Sequence, residues 1–275
     1  MERVKEILKK IELDNDIKIL FAVDGGSRAY KLDHIDSDYD IRFVFRHNDT
    51  KKYTSIRQHV DNYCGFSDDK KYDWQGWDIK KALLLLHKMN PSIVEWLHSS
   101  IIYYKCDELD VYSLLKQALM KHNRPITLLY HYKYYTKESF INLDSMYKDK
   151  VPCKKYLDVI RSAIMFRFIW DKCWDNMNMF DIDFFVLLKY IKECTDIDCW
   201  KHVCDIVDKK KMNCQELTTR IKCIDDLIRD VVESAKKIGD NVEITKMLKI
   251  VEKGEYNKEA SVELLDEILQ QVLAI

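Results

Sequence analysis

Two carboxylates two residues apart, Asp38 and Asp40 in Ser37-Asp38-Tyr39-Asp40, are the residues of this chain best spaced to do chemistry. An apolar run, Ile41, Phe43, Val44 and Phe45, follows them. At the start of a β-strand, the period of two puts both carboxylates on one face. Side by side they repel unless something positive lies between them, and a divalent metal with oxygen ligands is the usual solution. An earlier apolar run (Ile17, Ile19, Leu20, Phe21, Ala22, Val23) stops at Gly25-Gly26-Ser27. The two glycines leave the backbone uncovered, so that Ser27 and the N–H groups after it can approach a phosphate. The stretch therefore reads as strand, glycine turn, short polar crossing and strand.

A two-metal site needs a third carboxylate, from a strand beside the first pair. A third strand is expected over Tyr72 to Trp77, and two acids compete there. Asp78 opens DIKKALLLLHKM as the N-cap of a helix, a role worth about 1 kcal/mol that explains it without chemistry. Asp73 lies inside the strand and has no such explanation, so it is preferred, with Asp78 as the alternative.

Gly26-Ser27 followed by Ser37-Asp38-Tyr39-Asp40 resembles the GS…DxD signature of the DNA polymerase β-type nucleotidyltransferases. The longer string GSRAYKLDHIDSDYDIRFVF, with QGWDIKKALLLLHKMNPSIVEWLHSS after it, is similar to the YcgL/RlaP-type nucleotidyltransferases associated with RNA repair. The match runs from about Val23 to Tyr104 and continues weakly, through HYKYYTK and KKYLDVIRSA, to about Arg167. One departure is Lys31, which stands where the family is expected to have glycine.

The resemblance implies a polymerase β-like fold that binds an NTP, with Mg²⁺ or Mn²⁺ held by Asp38, Asp40 and a third acid, and it too places an acid at Asp73. The implied reaction moves NMP to an acceptor hydroxyl with release of pyrophosphate, RNA being one candidate acceptor. Gly26 and Ser27 would hold the outer phosphates, with Arg28 and Arg42 as partners for added charge. Each arginine also has a structural explanation: Arg28 could cap the turn, and Arg42 could pair with an acid.

At 275 residues, 47% of them hydrophobic, the chain can bury a sizeable core. A net charge of −1 argues neither for nor against a nucleic-acid partner. Nine cysteines without a CxxC pair read as reduced thiols. Cys194, Cys199, Cys204, Cys214 and Cys223, with His202, are spaced too widely for the chelating loops of structural zinc sites. The opening MERVKEILKK is too charged for a signal peptide, and no apolar run approaches the ~20 residues that cross a bilayer. A soluble, cytoplasmic protein is the expectation.

Around the site, Val4, Ile7, Leu8 and Ile11 predict an amphipathic first helix that packs on the sheet. The polar, irregular stretch from Arg46 to Lys71 reads as a mobile flap beside the site. Asn90-Pro91 starts another helix, in which Glu95-Trp96-Leu97 reads as a packing element, and Ile101 to Tyr104 as a last edge strand. From Asp107 onward the periodicity is helical, over Leu109 to Lys121, Ile126 to Tyr147, Lys154 to Cys173, Phe184 to Cys194, Trp200 to Val207, Cys214 to Ile238 and Val262 to Leu273. Breaks fall at Asn123-Arg124-Pro125, Lys150-Val151-Pro152 and Gly239-Asp240-Asn241. The fold class is thus α+β: a nucleotidyltransferase domain with a mixed sheet over residues 1–106, then an all-α region over 107–275.

Charge divides that helical region. Residues 121–174 hold eleven Lys or Arg against five Asp or Glu, whereas 175–275 hold fifteen against twenty-one. In the basic stretch Tyr130, Tyr132, Tyr134 and Tyr135 alternate with His131, Lys133 and Lys137, and Lys154-Lys155-Tyr156 leads to Arg161. Basic groups interleaved with aromatics can hold a triphosphate or stack single-stranded bases, with Lys155 and Arg161 as nucleotide-binding candidates. They also make an amphipathic helix with snorkelling lysines. The acidic helices could brace the fold or dock a protein partner. Two other functions remain open: a non-catalytic nucleotide- or RNA-binding, antitoxin-like module on the same fold, and a structural RNA-binding protein.

Overall fold

The computed structural model describes residues 1–122, 125–173, 179–214, 216–240 and 258–275. It divides into two compact units. One comprises Met1–Ala29, Ser37–His122 and the C-terminal helix Lys258–Ala274; the other comprises Tyr30–Asp36 and the described part of Asn123–Tyr256. The fold is α+β, with a mixed sheet near the N-terminus and a mostly helical C-terminal region.

In the first unit the elements run α1 (Glu2–Asn15), β1 (Ile17–Asp24), β2 (Tyr39–His47), β3 (Asn62–Phe66), β4 (Tyr72–Asp78), α2 (Ile79–His87), α3 (Pro91–Trp96), β5 (Ile102–Lys105) and α4 (Val111–His122). The sheet order is β3-β4-β2-β1-β5. The β1–β2 and β1–β5 pairs are antiparallel, while β2 and β4 run parallel, with Asp40 opposite Asp73 and Phe45 opposite Asp78. Alternation along β2 turns Ile41, Phe43 and Phe45 towards one layer of core with Val4, Leu8 and Ile11 of α1. The expected first helix therefore forms and buries the stripe its spacing defines.

A bulge between Ile19 and Phe21 lets neighbouring β1 residues serve both faces. Phe21 meets Tyr112 of α4 edge-on, with ring centroids 5.4 Å apart. Trp96 stacks on Trp77 at 3.9 Å, so Glu95-Trp96-Leu97 is a packing element as read. The C-terminal helix lies on α2 and α4, burying Leu265, Ile268 and Val272, and His87 Nδ1 is 3.1 Å from the Ser261 hydroxyl.

The stretch Arg46 to Lys71, expected as a flap, carries a 3₁₀ turn over Thr50–Tyr53 and the edge strand β3, which pairs antiparallel with β4. Asn62-Tyr63-Cys64-Gly65-Phe66 has no apolar alternation to mark it as a strand. An edge strand takes its order from one neighbour's backbone.

In the second unit α5 (Pro125–Met146), α6 (Cys153–Phe168), α7 (Phe184–Cys194) and α8 (Ile197–Lys211) fall where helical periodicity placed them, whereas α9 (Lys222–Asp240) begins well after the expected start at Cys214. The region is not wholly helical, because β6 (Lys150–Pro152) pairs with β7 (Leu217–Thr219). Three-residue strands are too short for a period of two to register. Helix α9 also runs through Gly239 to Asp240, so that break does not interrupt it, and Asn241 lies outside the described residues, as do Asn123 and Arg124.

Candidate functional site

Asp40 and Asp73 face each other across the parallel β2–β4 pair, and the side chain of Arg42 lies between them. Its Nη2 donates to Asp40 Oδ1 at 3.0 Å and to Asp73 Oδ2 at 2.8 Å. Residues 40 and 42 share a strand face by the period of two, and Asp73 joins them through the parallel register. Asp38 immediately precedes β2 and is exposed.

Burial pushes the Asp40 carboxyl above its ordinary range, Arg42 opposes that rise, and the charges of Asp24, Asp73 and Asp38 add to it. Four carboxylates therefore act on one small region.

Asp24 ends β1 as a buried acid that no sequence pattern singled out. Its Oδ1 accepts from the N–H groups of Gly26 at 2.9 Å and Ala29 at 3.3 Å, and its Oδ2 accepts from the Tyr103 hydroxyl at 2.6 Å. Burial raises its pKa while these donors pull the other way. Asp24 thus folds the glycine turn back over β2. The approach is close: a Cβ on Gly26 would lie 1.7 Å from Asp40 Oδ2, and one on Gly25 would lie 2.4 Å from Arg42 Cγ. Ser27 follows in the turn and is half-buried.

Arg28 is engaged with the segment that carries the first acid. It donates from Nε to the Asp38 carbonyl at 3.3 Å and from Nη2 to the Ser37 carbonyl at 2.6 Å, with its guanidinium 4.0 Å over the Tyr39 ring. Tyr39 in turn stacks on Tyr72 at 4.8 Å. The signal for this stack was the pair of tyrosines that each precede a site acid.

Asp78 is elsewhere. It lies five residues beyond Asp73 on β4, roughly 17 Å at strand rise. Fully buried, it caps α2 by accepting from the Lys80 N–H at 2.9 Å and also accepts from the Tyr53 hydroxyl. Lys155 and Arg161, on α6, belong to the second unit. There Lys155 Nζ contacts the Tyr147 hydroxyl at 3.3 Å, and the Arg161 guanidinium lies 4.1 Å over the Tyr30 ring. Lys31 has φ 58°, the left-handed region that favours glycine, and its ammonium pairs with Asp183.

The donor set of Asp38, Asp40 and Asp73 is all carboxylate oxygen, which suits Mg²⁺ or Mn²⁺. The demand for positive charge between Asp40 and Asp73 is visible in the guanidinium that bridges them, and the glycine turn lies so close against Asp40 that a Cβ on Gly26 would meet its carboxylate. These residues fit a divalent cation.

Residues 1–252 match the family described as RlaP: RNA repair pathway DNA polymerase beta family. The chain is 34% identical over 170 residues to the uncharacterized protein YcgL of Bacillus subtilis (strain 168), an alignment that takes in 61% of this chain and 62% of that one. It thus spans less than two thirds of that relative's length. Among solved structures, a nucleotidyltransferase-like protein from Exiguobacterium sibiricum 255-15 covers 98% of this chain and 73% of its own, at 10% identity and a TM-score of 0.26. No helix among the described residues is long and apolar enough to cross a membrane.

Proposed function

Because the chain belongs to the RlaP family of RNA repair pathway DNA polymerase β-type proteins, we propose that it is a metal-dependent nucleotidyltransferase. It moves NMP from an NTP to an acceptor hydroxyl and releases pyrophosphate, and RNA is the acceptor we favour. One observation carries this reading: Asp40 and Asp73 are held opposite each other on neighbouring strands, beside Asp38 and under a glycine turn that touches Asp40.

Asp38, Asp40 and Asp73 are the acids assigned to Mg²⁺ or Mn²⁺, which supplies positive charge to the phosphates and lowers the pKa of the attacking hydroxyl. Gly26 lets the turn lie against Asp40, and Ser27 beside it offers a hydroxyl to the outer phosphates. Arg42 holds Asp40 and Asp73 in register and presents a planar guanidinium to incoming negative charge. Arg28 fixes the backbone that places Asp38. Catalysis of this kind is mostly positioning and charge stabilisation. Lys155 and Arg161 are assigned to the polyanion, consistent with the basic balance of residues 121–174.

The test is incubation with each labelled NTP, Mg²⁺ or Mn²⁺, and separate pools of RNA, DNA and protein. Label should enter RNA, and Asp40→Asn and Asp73→Asn should each abolish its transfer. Transfer by both variants at the wild-type rate would refute the assignment.

A further inference from the structure

At the far end of β4 from Asp73, three side chains not used by the proposed chemistry converge: His47 at the end of β2, His59 in the loop before β3, and Asp78. We propose that His47, His59 and Asp78 form a second metal site, one that takes a borderline transition-metal ion such as Zn²⁺, Ni²⁺ or Co²⁺. One ligand atom from each lies within 4.8 Å of the others.

The orientation of His47 is the first support. Its Nε2 is 2.8 Å from the Val60 carbonyl, which can only accept, so Nε2 carries the proton and Nδ1 keeps the lone pair. A backbone carbonyl on the remote ring nitrogen is the arrangement that fixes the tautomer of metal-ligating histidines. That lone pair now accepts from a cation, the Lys52 ammonium, at 3.3 Å, which a metal ion would replace.

Asp78 is the second support. It is buried at 0% exposure, and its Oδ1 lies 3.7 Å from His59 Nε2. Both its oxygens are also held, by the Lys80 N–H and the Tyr53 hydroxyl. A carboxylate fixed in this way can ligate without having to be ordered first.

Access is the third. A cavity of about 540 Å³ is lined by Tyr53, His59 and Asp78, among others. It gives an ion a way in to His59 and Asp78, past Lys52, Arg57, Lys80 and Lys81, which share its walls, while His47 is buried and does not line it.

Bonds of about 2.0–2.1 Å in a tetrahedral site bring ligand atoms to about 3.4 Å from one another. The widest spacing, up to 4.8 Å, therefore has to contract by about 1.4 Å to reach that geometry, and Lys52 has to swing aside. His59 is on the loop that can supply the contraction. The two sites sort metals by ligand type: imidazole nitrogen here, and carboxylate oxygen alone at Asp38, Asp40 and Asp73. An ion here would pin the segment between β2 and β3 against β4. The competing account is a hydrogen-bonded polar cluster that braces the same loop without metal.

Chelator-treated full-length protein is titrated with Co²⁺ in the presence of excess Mg²⁺, which fills the carboxylate site, and the visible absorption of Co²⁺ and the melting temperature are read together. One Co²⁺ per chain should bind, with an intense tetrahedral-type band and a raised melting temperature. His59→Gln should weaken binding by at least about tenfold, the range seen even for outer-shell partners of ligands, and Asp73→Asn should leave it unchanged. His59 carries the test because Asp78 also caps α2. The proposal is overturned if wild-type protein binds no Co²⁺, or if His59→Gln, still folded by circular dichroism, binds as tightly as wild type. It is equally overturned if Asp73→Asn is the variant that loses the band.

Discussion

Arg42 occupies the position of a cation between two acids, and this sets how single substitutions should behave. The raised pKa of Asp40 means that the fold favours its neutral form. Such a group contributes stability fully below its unfolded value, 3.8, and loses that contribution as pH rises through the folded value. Asp40→Asn should therefore melt at or above the wild type at neutral pH without metal, and the difference should shrink as pH falls towards 4. Its transfer activity should drop by about 10²-fold or more. Melts across pH, paired with turnover, check both halves, and a strong loss of stability at neutral pH would make Asp40 a structural acid.

Arg42→Gln acts in the opposite sense, because it leaves Asp40 and Asp73 to repel each other. We expect a loss on the order of 1–3 kcal/mol without metal, largely recovered in millimolar Mg²⁺. Asp38, Asp40 and Gly26 were legible as candidates from their spacing, whereas Arg42 came from the resemblance, with pairing to an acid as its structural alternative. Asp24 was not legible, since a lone acid at a strand end has no spacing, and only the folded sheet brings Tyr103 to it.

The glycine turn and the α2 cap are the elements on which the site depends. No glycine among the described residues has positive φ, so Gly26 is required by close approach rather than by backbone freedom. Gly26→Ala should cost about 1–3 kcal/mol as the turn is pushed off Asp40, and should lose transfer with it. A variant with normal melting and full turnover would mean that the turn moves freely. Asp78→Ala should cost more than a cap alone: about 1 kcal/mol for the cap and 1–3 for a Tyr53 hydroxyl left without its acceptor. Denaturant melts of Asp78→Ala and Asp78→Asn separate the two contributions, because Asn caps nearly as well.

Helices and central strands were legible because buried faces impose a period on long segments. β3, β6 and β7 were not, because edge position or a length of three residues leaves their pairing to backbone hydrogen bonds that side chains do not record. Lys31 shows the same limit from the other side. The resemblance marked it as a replaced glycine, and its left-handed φ supplies the reason.

Across the whole chain, net charge is uninformative and its distribution is not. The acidic C-terminal stretch was open to bracing or docking, and its final helix braces the first unit through buried Leu265, Ile268 and Val272. The basic stretch keeps its charge at the surface: Lys154 and Lys155 are exposed on α6, and Lys155 rests on the Tyr147 ring at 5.3 Å.

If RNA is the acceptor, its phosphates release counterions as they meet this stretch, so binding should weaken steeply with salt. Each of Lys154→Ala and Lys155→Ala should then flatten the log–log slope by roughly one, uniformly across RNA sequences. Both lysines are exposed, so their removal should shift stability by less than about 0.5 kcal/mol, which keeps the binding effect apart from unfolding. A protein or small-molecule acceptor lacks the counterion atmosphere and should show little dependence on salt. Salt-insensitive transfer to the best acceptor, unchanged in the double variant, would assign Lys154 and Lys155 to an ordinary solvated helix face and remove RNA from the proposal.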